Sequence, residues 1–255
     1  MRIAVCVKQV PDTATRIRVA PNNLSIDETG VQFVLCPYDE YAVEEALKIR
    51  SAAGSGEVVL FCVGPPRATE ALRTALAMGA DRAVHLTELA GLDWVGTARA
   101  LAAMIHAEGN FDLILTGRQT TDDDCFELGP ALAELLGLPD ATIVIKLEVG
   151  PLKVTAHRDI EGGRAIVELP LPAVITCTKG LNQPRYPSLP GIMKAKQKPI
   201  KVVTQGALGL TPQPQVALLE LALPPPRQSG KLIKADAEQA AQELMNLLHH
   251  EAKVV

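Results

Sequence analysis

Acidic residues are missing from a long stretch of this chain. Between Leu169 and Leu219 there is no Asp or Glu, although the sequence carries 29 of them, and the same window holds Lys179, Arg185, Lys194, Lys196, Lys198 and Lys201. Charge is therefore segregated within a molecule of formal net charge −4. Aromatic residues are also scarce, 3% against 47% hydrophobic residues in all, so the core must be built from Ala, Val, Leu and Ile. That is the composition of buried parallel strands and small-residue helix faces. No apolar run approaches the roughly 18 residues of a membrane span. The stretch Met1 to Lys8 is too short for a signal peptide and has no cleavage region, so a cytoplasmic protein without membrane insertion is expected. The mildly acidic balance gives no global reason to expect nucleic acid. Cys6, Cys36, Cys62, Cys125 and Cys177 are odd in number, widely spaced and mostly set in apolar strand-like runs, which argues against disulfides and zinc.

What is present reads as α/β. Strands are expected at Ile3 to Val7, Val58 to Val63, Ala83 to Leu86 and Leu113 to Leu115, with residues 14 to 36 a hairpin excursion. Helices are expected from Pro37 onward, from Ala68 to Met78, from Trp94 to Ala107 and from Phe126 to Leu136. Strands alternating with helices at this spacing imply right-handed βαβ units and an open, mostly parallel, Rossmann-like sheet flanked by helices. After Pro139 the pattern turns β-rich: Thr142 to Leu147, Lys153 to His157, Arg164 to Leu169 and Ala173 to Thr178, with a hairpin through Glu161-Gly162-Gly163. Pro184, Pro187 and Pro190 break the middle of the acid-free window and predict an exposed loop. Beyond Lys201 the composition is that of a linker, and Ala235 to His250 is helical again. The expected organisation is one domain over residues 1–200, containing a loop at 181–200, and an arm over 201–255 whose terminal helix packs on another subunit.

In an open α/β sheet, ligands sit beyond the carboxyl ends of the strands, where helix amino ends point amides at anions. Four segments occupy that edge: Cys6 to Pro11, Cys36 to Asp39, Val63 to Pro65 and Gly117 to Glu127. No GxGxxG or Walker sequence is present, so a nucleotide, if bound, is held by other means. The cluster Gly117-Arg118-Gln119-Thr120-Thr121-Asp122-Asp123-Asp124-Cys125-Phe126-Glu127-Leu128-Gly129 is the densest polar run. Its plain reading is a capping box, Asp124 as N-cap with Glu127 three residues on. Three aspartates also suit a divalent cation, yet helix capping accounts for them without one and no His lies nearby in sequence. Cys125 at a helix start is a candidate low-pKa thiol, though a buried structural cysteine is the commoner use. His157 has no GxSxG partner motif, and His249-His250 reads as a solvated helix end. The bases from Lys194 to Lys201 come with Tyr186 as the sole aromatic, too few for a single-strand binder.

Several motifs in order then stand out: Val7-Lys8-Gln9-Val10-Pro11-Asp12, Ala42-Val43-Glu44-Glu45-Ala46, Thr74 through Arg82, the Gly117 to Gly129 cluster, and Pro184-Arg185-Tyr186 with Ile192-Met193-Lys194-Ala195-Lys196. Together they make the chain resemble the β subunit of electron transfer flavoprotein along nearly its whole length. The resemblance implies a heterodimer in which the α subunit holds FAD while the β subunit binds a second nucleotide and covers part of the flavin. It implies an electron carrier with no turnover of its own, fed by acyl-CoA dehydrogenases or related flavoenzymes and discharging towards an electron transfer flavoprotein:quinone oxidoreductase.

Carried over by motif, the nucleotide site is Cys6, Cys36, Pro37, Tyr38, Asp39, Val63 and the run Gly117, Arg118, Gln119, Thr120, Thr121, Asp122, Asp123, Asp124, Cys125, Phe126, Glu127 and Leu128. Asp122-Asp123-Asp124-Cys125 matches relatives whose nucleotide is AMP. The alternative, a second FAD reduced by NADH in a bifurcating complex, goes with Gly in the middle of the trio and Thr-Ala-Gln after it. Phe126-Glu127-Leu128 departs from both patterns, and Val10-Pro11-Asp12-Thr13 is nearer the bifurcating members. The resemblance also brings Thr13 and Asp159 close to the α-subunit flavin. It makes Arg185, Tyr186, Leu189, Ile192, Met193 and Lys194 a partner-docking segment anchored by Leu189. A stand-alone adenine-nucleotide-binding protein is the third reading.

Overall fold

Apolar residues that alternate along the first strand decide the layering. In the computed structural model, which describes residues 1–88, 92–211, 213–226 and 229–255, β1 (Arg2–Cys6) sends Ile3 and Val5 into one core and Ala4 and Cys6 into another. Such alternation follows from the two-residue side-chain period of a strand. The chain continues through β2 (Gln9–Pro11), β3 (Phe33–Leu35), α1 (Pro37–Ala52), β4 (Glu57–Val63), α2 (Thr69–Met78), β5 (Arg82–Leu86), α3 (Trp94–Ala107), β6 (Leu113–Gly117) and α4 (Leu128–Leu136). Then follow β7 (Asp140–Val149), β8 (Lys153–Ile160), β9 (Gly163–Pro170), β10 (Ala173–Cys177), α5 (Leu189–Ala195), β11 (Ile200–Val203) and α6 (Ala237–Asn246).

Nine strands form one sheet in the order β11-β5-β4-β1-β6-β10-β7-β8-β9, parallel from β11 to β7 and antiparallel at β7-β8-β9. α1 and α2 pack on one face through Val43, Leu47, Leu72 and Leu76, and α3 and α4 on the other through Leu101, Met104, Ile105 and Leu132. All eight side chains are nearly or fully buried. Truncating one of the leucines to alanine costs about 2–5 kcal/mol in a close-packed core of this kind. Strand order reverses between β1, whose chain leads outward to β4 and β5, and β6, which leads the other way to β10. A crevice is expected at that switch point.

The α/β architecture, the parallel order and the β-rich second half are as the sequence implies. Three local features differ. β11, which pairs with β5 at the sheet edge, was not anticipated. The 12–32 excursion is mostly loop, held as a ribbon by β2 against β3 and one bridge between Val19 and Ile26. The proline-rich window is not all loop, because α5 lies within it. Ser188 caps that helix, accepting the Gly191 amide at 3.1 Å, and Pro190 stands in its first turn, where proline lacks no bond a helix would otherwise make. At Gly191 the helix crosses α2 so closely that a Cβ would overlap the Ala77 carbonyl oxygen.

The chain divides into two compact units, Met1–Glu220 and Leu221–Val255. Within the second, Asp236 caps α6 by accepting the Gln239 amide at 2.9 Å, and the helix runs on into a wider turn over Leu247–Glu251. No residue of α6 is buried within the chain.

Candidate functional site

The carboxyl ends of β1, β4 and β6 open onto a cleft of about 320 Å³ at the switch point. Cys6, Val7 and Lys8 line it from β1, Val63 from β4, Thr116 and Gly117 from β6, and Asp39 from the first turn of α1. The loop before α4 supplies Gln119, Thr120, Asp123 and Cys125, and Leu128 begins that helix. Leu92, Asp93, Trp94, Thr97 and Leu101 make a further wall, at and around the start of α3. All four segments read from the sequence contribute residues, and the α3 wall was missed. The rule that found the others would have found it, since α3 follows β5 at the same edge of the sheet.

Asp39 ties the site together. Its buried carboxylate accepts the Lys8 amide at 2.7 Å and the Gly117 amide at 3.0 Å, joining the chain just past β1 to the last residue of β6. Gly117 permits this approach, because a Cβ there would overlap Asp39 Oδ1. Burial pushes the Asp39 carboxyl up to about 7, while the two amide donors and the Lys8 charge pull the other way.

Across the cleft, Lys8 Nζ bridges Asp122 at 2.9 Å and Asp123 at 3.0 Å. Burial disfavours the ammonium, but the two carboxylates outweigh it and hold the Lys8 pKa above its ordinary value. Asp123 also accepts from the Thr120 hydroxyl and from the Cys125 amide.

The capping box does not form. Asp124 sits at φ +52°, accepting Gln119 Nε2 at 2.7 Å, and the helix begins at Leu128 with Glu127 in its N-cap position and making no side-chain cap. A local bond from Gln119 has claimed the Asp124 carboxylate that the pattern assigned to the helix, and the long-range bonds from Lys8 hold Asp122 and Asp123 beside it. Cys125 lies before that helix, not in it, and burial raises its pKa, with Glu127 adding to the effect, which removes the activated-thiol reading. Burial likewise pushes Cys36 and Cys62 up to about 12. No group of metal-ligating side chains occurs among the described residues.

Of the other motif residues, Cys36 directs its sulfur to the Gln119 carbonyl at 3.6 Å, and Arg118 stacks over Phe126 at 5.4 Å while its amide bonds to Cys177. Pro37 and Tyr38 open α1 beside Asp39 without lining the cleft. Asp122, Asp124, Phe126 and Glu127 are exposed at its rim, so the Glu127 charge does not line the interior. Gln119 Oε1, Thr121 Oγ1 and Arg118 Nε are buried and have no partner among the described residues. Buried polar atoms of this kind call for a partner. Thr13 is exposed in the β2–β3 excursion, and Asp159 is exposed near the β8–β9 turn, paired with Arg164 at 3.1 Å. His157 lies on β8 opposite Ile166, and His249 and His250 lie in the second unit; none lines the cleft.

The family model for the electron transfer flavoprotein domain matches residues 23–208. Along the full length of both chains, the mitochondrial electron transfer flavoprotein subunit beta of Oryza sativa subsp. indica is 40% identical over 259 residues. The chain belongs to the electron transfer flavoprotein family. Its β-subunit relatives extend to Bacillus subtilis (strain 168), 38% identical over 260 residues and 100% of both chains. The Homo sapiens β subunit is 37% identical over 245 residues, covering 94% of this chain and 96% of the human one. No helix among the described residues is long and apolar enough to cross a membrane.

In this electron transfer flavoprotein chain the segment 181–196 is bolted to α1 at its start and to α2 along α5, where Arg73 donates to the Ala195 carbonyl. Arg185 grips the buried Glu44 with two bonds, Nε to Oε2 at 2.7 Å and Nη2 to Oε1 at 2.9 Å, and Asn182 donates to Glu45 and to the Tyr41 carbonyl, each at 2.9 Å. Arg185 is thus an internal anchor and not a free steering charge. Lys198 also turns inward, donating to the Leu76 and Ala80 carbonyls at the end of α2, and Lys201 pairs with Glu108 at 2.7 Å. Lys179, Lys194 and Lys196 form no ion pair among the described residues. What the anchored segment displays is apolar: Tyr186 is 95% exposed and Leu189 75%, with Ile192 and Met193 beside them. The absence of acids in β10 has a plainer cause, since all five of its residues are buried mid-sheet.

Proposed function

We propose that this chain is the β subunit of a heterodimeric electron transfer flavoprotein, a carrier without catalytic residues, which holds AMP in the switch-point cleft. The reading rests chiefly on one observation: a preformed cleft at that point, beside buried Gln119 Oε1 and Thr121 Oγ1 that have no partner among the described residues. About 320 Å³ is at the small end of ligand clefts, roughly 300–1,000 Å³, and suits a mononucleotide better than a dinucleotide. The residues that would hold AMP are Gln119, Thr120 and Thr121 with the amino end of α4, where backbone amides and the helix dipole favour a phosphate. Lys8 bridges two of the nearby carboxylates and offsets one of their two charges. The AMP is structural and supplies no redox chemistry.

The redox group is FAD held by the α subunit, with Thr13 and Asp159 of this chain near it. Electrons arrive from an acyl-CoA dehydrogenase or related flavoenzyme docked on the Tyr186–Lys194 segment, and leave towards an electron transfer flavoprotein:quinone oxidoreductase. Exposed Leu189, Ile192 and Met193 on a helix fixed by Arg185 support this, since a prepositioned apolar contact lowers the ordering cost of binding. Lys194 and Lys196 would hasten the approach of an acidic partner. α6, with no buried residue, supports a partner-packed arm. Extraction of the purified heterodimer should yield one FAD and one AMP per dimer. Two FAD and no AMP would replace this reading with the bifurcating one, and a nucleotide-bound monomer would replace it with a stand-alone binder.

A further inference from the structure

Trp94 is the single tryptophan of the chain, the first residue of α3, and 40% exposed where it lines the cleft. Among the described lining residues it is the sole aromatic. Leu92 and Leu101 extend its apolar wall, while the loop before α4 contributes the polar Gln119, Thr120 and Asp123. The cleft thus has an apolar aromatic side and a polar side. A bare phosphate or a sugar would make use of the second and leave an indole face wet.

The tryptophan is held in place by its neighbour. Asp93 Oδ1 accepts the Gly96 amide at 2.7 Å, and Oδ2 accepts the amides of Gln215 at 2.6 Å and Val216 at 3.0 Å. Asp93 is therefore engaged by the protein on both oxygens and fixes the backbone from which Trp94 projects. The other exposed aromatic near the site, Phe126, is stacked with Arg118 and does not line the cleft. Gln119 commits its Nε2 to Asp124, which leaves Oε1 to accept from a ligand donor. A purine bearing an exocyclic amine offers a planar face for the indole and a donor for the amide oxygen.

We infer that Trp94 is a stacking wall for the base of the bound nucleotide and makes the cleft select a planar heteroaromatic ring over a sugar phosphate alone. The inference deepens the nucleotide reading above and rests on it. Base–aromatic stacking sets the size of the effect, about five- to hundredfold in affinity for loss of one stack.

The full-length chain, stripped of nucleotide, is titrated with AMP and with ribose 5-phosphate. Because the chain has one tryptophan, its emission reports on the cleft alone. AMP should quench it saturably, and ribose 5-phosphate should not. Calorimetry should find AMP bound about five- to hundredfold more weakly by Trp94→Ala, within about threefold of wild type by Trp94→Phe, and ribose 5-phosphate bound equally by all three. Unchanged AMP affinity in Trp94→Ala, or AMP binding without any change in emission, overturns the stacking while leaving the nucleotide site standing. Should Trp94→Ala not fold, the emission of the wild type and the affinity of Trp94→Phe still decide. A heterodimer that carries no nucleotide overturns the underlying reading and the stacking with it.

Discussion

The Gly117 amide and the Asp39 carboxylate meet at 3.0 Å, coupling the end of the central strand β6 to the first turn of α1. The other carboxylate oxygen takes the Lys8 amide at 2.7 Å, so one side chain satisfies the backbone on both sides of the switch point.

Asp39→Asn tests this arrangement. An amide has one acceptor oxygen, so its NH2 must face one of the two backbone donors, and a buried amide loses its partner. The expected cost is about 1–3 kcal/mol. The pH dependence carries a second signature. The folded carboxyl is raised to about 7 from an ordinary 3.8, so between these values the native state holds a proton that the unfolded state has released. This group therefore favours folding most at the acid end, and its contribution is lost as pH rises from about 4 to about 7. Urea titrations at several pH values should show that downward component in the wild type and lack it in Asp39→Asn. Equal slopes would place the raised pKa elsewhere.

Lys8→Gln tests the bridge across the cleft. Its ion pairs are partly exposed, so the stability cost should be about 1 kcal/mol or less. Affinity should suffer more, because Asp122 and Asp123 would then face an incoming phosphate without a counter-charge. Calorimetry should find AMP binding several-fold weaker, with the loss shrinking as salt screens the carboxylates. A loss that does not respond to salt would point to steric disruption of the loop.

How far the sequence announces all this depends on the range of the forces involved. Alternating apolar runs and Pro or Gly punctuation are local, and they placed α1 to α4 and most strands to within a few residues. The strand-end rule brought Cys6, Asp39, Val63 and part of the Gly117–Glu127 segment to one cleft because it depends only on topology. What escaped was decided by particular side-chain contacts, some local and one between distant parts of the chain. Asp124 and Glu127 read as a capping box until Gln119 takes the one and the helix starts beyond the other. Arg185 reads as part of the docking segment, and its internal partner Glu44 is hidden by a separation of 141 residues. Pro190 reads as a loop residue like Pro187, yet a proline in a first turn behind a Ser cap is helix-compatible.

Arg185→Lys should separate anchoring from contact. Lysine keeps the charge but cannot make both bonds to Glu44, whose side chain is 7% exposed. Because Arg185 itself is 45% exposed, solvent screens part of the loss, and about 1–2 kcal/mol is expected. Electron transfer from the dehydrogenase should slow although nucleotide and flavin content stay at wild-type levels, since only the presentation of α5 is loosened. Hydrogen exchange over residues 181–196 is the direct check, and unchanged protection there would show that Asn182 and the packing of α5 on α2, where Arg73 donates to the Ala195 and Lys198 carbonyls, hold the segment without the Arg185–Glu44 pair.

Leu189→Ala removes the contact and leaves the anchor. Leu189 is 75% exposed, so its truncation opens no cavity and stability should move by less than about 0.5 kcal/mol. An apolar anchor buried at the centre of a docking interface is worth more, about 1–3 kcal/mol, which corresponds to a five- to hundredfold weaker complex. Stopped-flow reduction of the heterodimer by an acyl-CoA dehydrogenase should therefore show a raised half-saturation concentration. The limiting rate at saturating dehydrogenase should change little, because the Ser188 cap, the Arg185–Glu44 pair and the flavin environment are untouched. The two variants thus diverge in a way that identifies their roles: Arg185→Lys loosens the whole segment, whereas Leu189→Ala weakens docking with the segment still fixed. Wild-type kinetics in Leu189→Ala would move the contact to Tyr186 or Met193, the other strongly exposed apolar side chains of the segment.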